Sequence, residues 1–176
     1  MSDDLLSDVL IRPEAREDLD GIRRVNYLAF EGGPEAGMVD ALRTADAVTL
    51  SMVAVMGDEV VGHVLVTPVT VRTEHGDESL VGLGPVAVLP EQQGRGIGTL
   101  LIETALESLR EARHAGVVVV GHPGYYPRFG FIPAGRWGLQ WDGEVPDEAF
   151  MALELSPGLL TGISGVVRIR PELLAV

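Results

Sequence analysis

The stretch Gly84-Pro85-Val86-Ala87-Val88-Leu89-Pro90-Glu91-Gln92-Gln93-Gly94-Arg95-Gly96-Ile97-Gly98-Thr99 decides how the rest of the chain reads. Its first half is an apolar strand ended by Pro90. Its second half is rich in glycine. Helical spacing follows over Thr99–Arg113, with Leu100, Leu101, Ala105, Leu106 and Leu109 on one face, and Gly116 is expected to stop it. Four consecutive valines, Val117–Val120, then mark a strand buried on both faces. Strand, glycine loop, helix and buried strand make a crossover unit, so its two strands should be parallel neighbours. A glycine loop in that setting turns backbone N–H groups outward at a helix N-terminus, where a phosphate or pyrophosphate is held. The dinucleotide fingerprint G-x-G-x-x-G fails, because Thr99 stands at the last position when counting starts at Gly94. The Walker pattern fails for want of lysine. Gln93-x-x-Gly96-x-Gly98 is the pattern that remains.

Outward from this centre, Val9–Arg12 reads as a short strand ended by Pro13. Leu19, Ile22, Val25 and Ala29 share a helical face, which breaks at Glu31–Gly33. A second helix is expected from Pro34 to Arg43. Val48–Met56 and Val60–Val71 flank Gly57-Asp58-Glu59, a tight hairpin signal. Leu80–Leu89 follows a polar loop at His75–Glu78. Phe150–Leu155 and Val166–Arg170 read as the last strands. The sum is an α/β (α+β) domain: a mixed, mostly antiparallel sheet with one central parallel pair, flanked by helices.

At 176 residues, one domain is expected, and 46% apolar residues suffice for a core. No apolar run reaches the roughly 18 residues that cross a bilayer. The acidic start, MSDDLLSD, is no secretory or transit signal, so cytoplasmic action is expected. Thirteen basic against twenty-six acidic residues give a net charge of −13. Such a surface disfavours nucleic acid and anionic membranes and mildly favours a cationic substrate. All thirteen basic residues are arginine, and cysteine is absent. Disulfides, thiolate nucleophiles and lysine Schiff bases are therefore excluded. A GC-rich genome or a high-salt habitat would each produce this composition. No H-E-x-x-H spacing occurs, so no metal is expected. Gly162-Ile163-Ser164-Gly165-Val166 misses the esterase elbow at its last position.

Gln93-x-x-Gly96-x-Gly98, between a strand and a helix, resembles the coenzyme A pyrophosphate loop of the GNAT N-acetyltransferase superfamily. Tyr125-Tyr126-Pro127-Arg128-Phe129-Gly130-Phe131 resembles that family's second block, after its fifth strand. The two blocks come in order and at the family's separation, and the resemblance covers most of residues 9–155. It implies a GNAT-like domain over residues 9–155, with residues 156–176 as a C-terminal extension packed on it. It also implies that an amine attacks the thioester of acetyl-CoA directly, in a ternary complex. The cofactor-binding set would be Val86, Ala87 and Val88, whose backbone would face the pantetheine, with Gln93, Gly94, Arg95, Gly96, Ile97, Gly98 and Thr99. An N–H of Val88 or a neighbour would polarise the acetyl carbonyl. Tyr126 matches the tyrosine that protonates the leaving thiolate, with Tyr125 the alternative acid if the turn is rotated by one residue.

His122 follows the buried strand at its C-terminal end, where α/β sites cluster, and imidazole is a side chain suited to base work. His122-Pro123-Gly124 departs from the asparagine many members carry near there. His122 is thus a candidate base beside a structural role, and Arg128 a candidate for a carboxylate pair or a phosphate contact. The acceptor, a small-molecule or protein amine, would meet the segments Glu31–Met38, His75–Glu78 and Trp137–Trp141. Leu159, Leu160 and Ile163 could support a homodimer or belong to the core. The competing reading is a non-catalytic acyl-CoA-binding sensor or scaffold, which keeps the loop and needs no acid.

Overall fold

Glycine and proline punctuate the chain much as the residue pattern predicts, over residues 6–168, 170 and 172, which this computed structural model describes. The elements in chain order are β1 (Val9–Pro13), α1 (Leu19–Ala29), α2 (Glu35–Thr44), β2 (Leu50–Met56), β3 (Glu59–Thr73), β4 (Gly76–Val88), α3 (Ile97–Glu111), β5 (Gly116–Val120), β6 (Ile132–Pro133), β7 (Leu139–Trp141), β8 (Phe150–Glu154) and β9 (Gly165–Arg168). Two compact units divide them. Among the described residues, the first holds positions 6–66 and Gly84–Ala105, and the second holds Thr67–Leu83 and positions 106–172. β3, β4 and α3 each contribute to both.

In the first unit β1 pairs antiparallel with β2, from Val9↔Met56 to Pro13↔Met52. β2 pairs antiparallel with β3, from Leu50↔Val66 to Met56↔Glu59. The turn between them is Gly57-Asp58, and the φ of +61° at Gly57 is the glycine-favouring feature of tight hairpins. Residues Val60–Thr67 of β3 are all buried. At Gly62 a Cβ would stand 2.9 Å from Leu101 and 3.2 Å from Ile97, so the missing side chain lets α3 press onto the strand. On the other side α1 buries Ile22, Val25 and Asn26. Eleven residues are too few to hold a helix alone, so this packing stabilises α1.

A polar chain crosses this core. His63, 0% exposed at the middle of β3, has partners on both ring nitrogens. Asn26 Nδ2 donates to Ile22 O at 2.9 Å and to His63 Nδ1 at 3.1 Å. Nδ1 therefore accepts, and Nε2 carries the proton and donates to Ser51 Oγ at 2.9 Å. The Ser51 hydroxyl in turn donates to Glu14, which is paired with Arg43. Burial pushes the Glu14 carboxyl up, but hydrogen bonds from Arg43 and Ser51 outweigh it and hold the group below its ordinary pKa. Burial also lowers His63 to about 4, against the opposing pull of Glu14.

In the second unit β5 pairs antiparallel with β8, from Gly116↔Glu154 to Val120↔Phe150, and β6 adds to β8 through Ile132↔Ala152. β9 pairs antiparallel with β3. β4 and β5 are parallel, with Val81↔Val117 and Gly82↔Val118 as their registered pairs. The expected parallel pair is thus present, and β7 with β9 adds a second one. Val69, Val71, Leu80, Val118, Leu139, Phe150, Leu160 and Val167 form the core of this unit.

Several expectations need correction. α3 begins at Ile97 and ends at Glu111, and its stop is Arg113, not Gly116. Arg113 takes a φ of +62°, and the next residue's N–H closes onto Leu109 O at 3.1 Å, a geometry more often given to glycine. Val117–Val119 are buried, but Val120 is 40% exposed, since β5 runs past its registered pairs with β4. Gly76–Glu78, expected in a loop, begin β4. Trp137–Trp141, offered as an acceptor segment, contains β7. Leu160 is 1% exposed in the core of the second unit and Ile163 packs against it, so of the three residues offered for a dimer only Leu159 is outward. Of the expected last strand, Val166–Arg168 is observed, and position 169 lies outside the described residues, as do positions 1–5, 171 and 173–176.

His63 makes stability depend on pH with a definite sign. The unfolded imidazole titrates near 6.5 and the folded one at about 4. Between those values only the unfolded chain binds the proton, so stability declines as pH falls through the window and levels off below it. From pH 6.5 to 5 the loss is expected to be about 2 kcal/mol. Urea denaturation at the two pH values measures it. His63→Gln should lack that contribution, and an unchanged pH dependence in this variant would refute the assignment.

Candidate active site

Along β4 the burial alternates. Ala87 and Leu89 face inward, and Val86 and Val88 lie half-buried on the other face. A 3-10 turn at Pro90–Gln92 ends the strand, closed by Gln92 N–H onto Leu89 O at 2.8 Å. Gln93 Nε2 donates to Val88 O at 3.0 Å. The side chain that opens the Gln93-x-x-Gly96 pattern thus ties the loop to the strand end, and one carbonyl of the Val86–Val88 edge is taken by it.

Gly94 and Gly96 have φ values of +75° and +90°. A Cβ at Gly94 would meet nothing within 4 Å, so backbone conformation, not space, calls for glycine there. The N–H groups of Gly94, Arg95 and Gly96 have no hydrogen-bond partner among the described residues, and all three residues are exposed. They precede Ile97, where α3 begins. Ile97 is 2% exposed, so its side chain anchors the helix and only its backbone faces the loop. Gly98 and Thr99 lie in the first helical turn, where the partial positive charge of the helix is concentrated. Arg95 is solvent-facing and donates to Gln92 Oε1 at 3.1 Å. Unpartnered donors, positive φ glycines and a helix start make an anion cradle.

In the second unit the chain leaves β5 through Gly121-His122-Pro123-Gly124. The His122 carbonyl accepts the N–H groups of Tyr125 at 3.0 Å and Tyr126 at 3.3 Å, which winds the chain into a 3-10 turn at Tyr126–Phe129. The Tyr126 ring lies edge-on to Tyr125 at 5.2 Å and to Phe131 at 5.7 Å. Burial pushes the Tyr126 hydroxyl up to about 12, with a smaller push from Tyr125. The hydroxyl therefore stays protonated throughout the working range of pH. A Cβ at Gly121 would stand 2.4 Å from Tyr126 Cε2. Gly121 thereby gives the tyrosine ring its place, a role the sequence reading missed. The signal was present only as one glycine among 22.

The remaining candidates sort by position. The His122 imidazole is exposed, and its observed contribution is the backbone carbonyl. Arg128 makes no carboxylate pair among the described residues. It stacks on Tyr125, its Cζ 4.2 Å from the ring centroid, and its Nε donates to Tyr125 O at 2.9 Å. Glu31 is an exposed turn residue with a φ of +54°. The structure thus brings Val88, Gln93 and the three free N–H groups together in the first unit, and Gly121, His122, Tyr125 and Tyr126 together in the second.

The family model for the acetyltransferase (GNAT) domain matches residues 10–134. The uncharacterized N-acetyltransferase YhbS of Escherichia coli K12 is 36% identical over 160 residues, which span 90% of this chain and 95% of YhbS. A crystal structure of Escherichia coli YhbS in complex with CoA superposes with a TM-score of 0.89 at 33% identity, over 95% of this chain and 92% of that one. A GNAT family acetyltransferase from Brucella melitensis, in complex with acetyl-CoA, gives 0.77 at 36% identity, over 94% and 97% of the two chains. With its glycine loop, its tyrosine turn and these relatives in agreement, the chain belongs to the GNAT acetyltransferase family.

Proposed function

We propose that this protein transfers an acetyl group from acetyl-CoA directly to an amine, in a ternary complex and in the cytoplasm. Residues 9–155 form the acetyltransferase domain in this reading, and residues 156–176 extend it. The observation that carries it is that the N–H groups of Gly94, Arg95 and Gly96, just before α3, have no partner among the described residues. The CoA and acetyl-CoA held by the relatives from Escherichia coli and Brucella melitensis support it.

Those three N–H groups and the first turn of α3 would hold the pyrophosphate. Glycine at positions 94 and 96 keeps side chains out of the cradle. The Val86–Val88 backbone would align the pantetheine, with an N–H there polarising the acetyl carbonyl. When bound, acetyl-CoA supplies the thioester, whose C–S bond breaks as the amine nitrogen bonds to the carbonyl carbon. The amine gives up one proton, to water or to His122, and the sulfur must gain one. Tyr126 is the donor this chain offers. Its pKa of about 12 stands well above that of a thiol, near 8.5. A phenol this weakly acidic holds its proton until charge has developed on the sulfur. Its first service is a hydrogen bond to the charge developing on sulfur.

Acetyl-CoA at a hundredfold excess over its Kd should add about 2.7 kcal/mol of stability, or roughly 5–11 °C in Tm for a chain of this size. NADH and ATP should not. A flat response to acetyl-CoA would remove the main support for the reading. Tyr126→Phe should lower the turnover of amine acetylation, read as thiol release, at least tenfold. The acetyl-CoA shift should persist in that variant. Unchanged turnover would instead favour a role for Tyr126 in packing alone. Gly121→Ala should also lower kcat with the cofactor shift retained, because the added methyl displaces the Tyr126 ring. Parent-like kcat in this variant would show that the ring position does not matter.

A further inference from the structure

Between β6 and β8 the chain makes a detour that the acetyl-transfer chemistry above does not use. It lines, within the second unit, an open cavity of about 480 Å³. The floor is apolar. Leu139 and Phe150 are buried, and Trp141 and Val145 are half-buried. The Trp141 and Phe150 rings meet with centroids 5.0 Å apart at 52°. One charged side chain, Asp147, lines the cavity, and no arginine does. The segment that contributes Gly143, Val145 and Asp147 to the lining carries Asp142, Glu144 and Glu148 as well, with no basic residue from position 142 to 149.

We propose that this cavity is a subsite for an organic cation with an apolar or aromatic body, belonging to the amine acceptor. The inference rests on the acetyl-transfer reading for the word acceptor, and on the cavity alone for the ligand class. Its floor removes hydrocarbon from water. A tryptophan face attracts a cation through its ring quadrupole. Asp147 and the acidic loop add a charge of the same preference and repel an anion. The link to chemistry is the strand register. Phe150 pairs with Val120, and the carbonyl of Ala149 accepts the Gly121 N–H at 3.0 Å. Gly121 is the residue against which Tyr126 sits. The attacking amine must be neutral, so the cation held here is a second positive group of the acceptor. The acceptor class is then an amine carrying both a hydrophobic portion and a separate positive charge.

The test is direct calorimetric binding of phenethylammonium to the full-length protein, with 3-phenylpropionate and phenethyl alcohol as the anionic and neutral counterparts. Phenethylammonium should bind at least fivefold tighter than either, with an affinity that weakens as salt is raised. Trp141→Leu should weaken it at least fivefold and Trp141→Phe by less. Asp147→Asn should weaken it about threefold and flatten the salt dependence. The acetyl-CoA thermal shift, measured on every variant, reports that each still folds. Equal binding of the ammonium and the carboxylate, or parent-like affinity in both Trp141→Leu and Asp147→Asn, overturns the proposal. If acetyl-CoA stabilises the protein and phenethylammonium does not bind, the subsite fails and the acetyltransferase reading stands. If the ammonium binds as described and acetyl-CoA has no effect, the cavity remains a cation site and the acetyl-transfer reading fails.

Discussion

A histidine at the centre of a strand buried on both faces must be hydrogen-bonded on both ring nitrogens, and the first unit is arranged around that requirement. His63 obtains its partners from α1 through Asn26 and from β2 through Ser51, and the chain of donors ends on Glu14 and Arg43. Four elements and the segment after β1 are thereby held in one register. The opposite face of β3 is governed by a different constraint. There Gly62 withholds a side chain so that Ile97 and Leu101 of α3 can approach. One face is specified by polar satisfaction and the other by volume. The start of α3, and with it the anion cradle, depends on the second.

In the proposed reading the glycine loop offers backbone N–H groups, and side chains hold that backbone in shape. Gln93 uses its amide on Val88, Ile97 is a buried anchor, and Gly94 and Gly96 contribute conformation. The tyrosine turn repeats the idea, since the carbonyl of His122 winds it and Gly121 makes room for it. Such sites tolerate an unusual composition. A chain with no lysine and no cysteine can still present N–H donors and a phenol.

Net charge takes on local meaning in the second unit. The value of −13 for the chain says only that cations are favoured. The acidic loop from Asp142 to Glu148 concentrates part of that charge over an aromatic floor. Asp147 lines the same cavity as Trp141 and Phe150, so charge and apolar surface adjoin there.

Much of this was legible in the residues. The hairpin at Gly57, the strand–loop–helix–strand centre and the tyrosine block depend on local φ/ψ preference, on periodicity and on spacing. Those are properties of short segments, and short segments carry them in any context. What tertiary structure decided was pairing at a distance. Ser51 and His63 meet across a hairpin, while Asn26 and Glu14 reach them from elements far back in the chain. Leu160 turned inward where its neighbour Leu159 did not, and Arg128 chose an aromatic ring over a carboxylate. Arg113 took the left-handed position expected of glycine. Gly121 acquired its meaning only when Tyr126 folded back against it. A sequence states what each residue prefers for its own backbone and whether it avoids water. Which of several suitable partners it meets is settled by the packing of the whole chain, because that choice depends on volumes and hydrogen bonds contributed by residues far away in sequence.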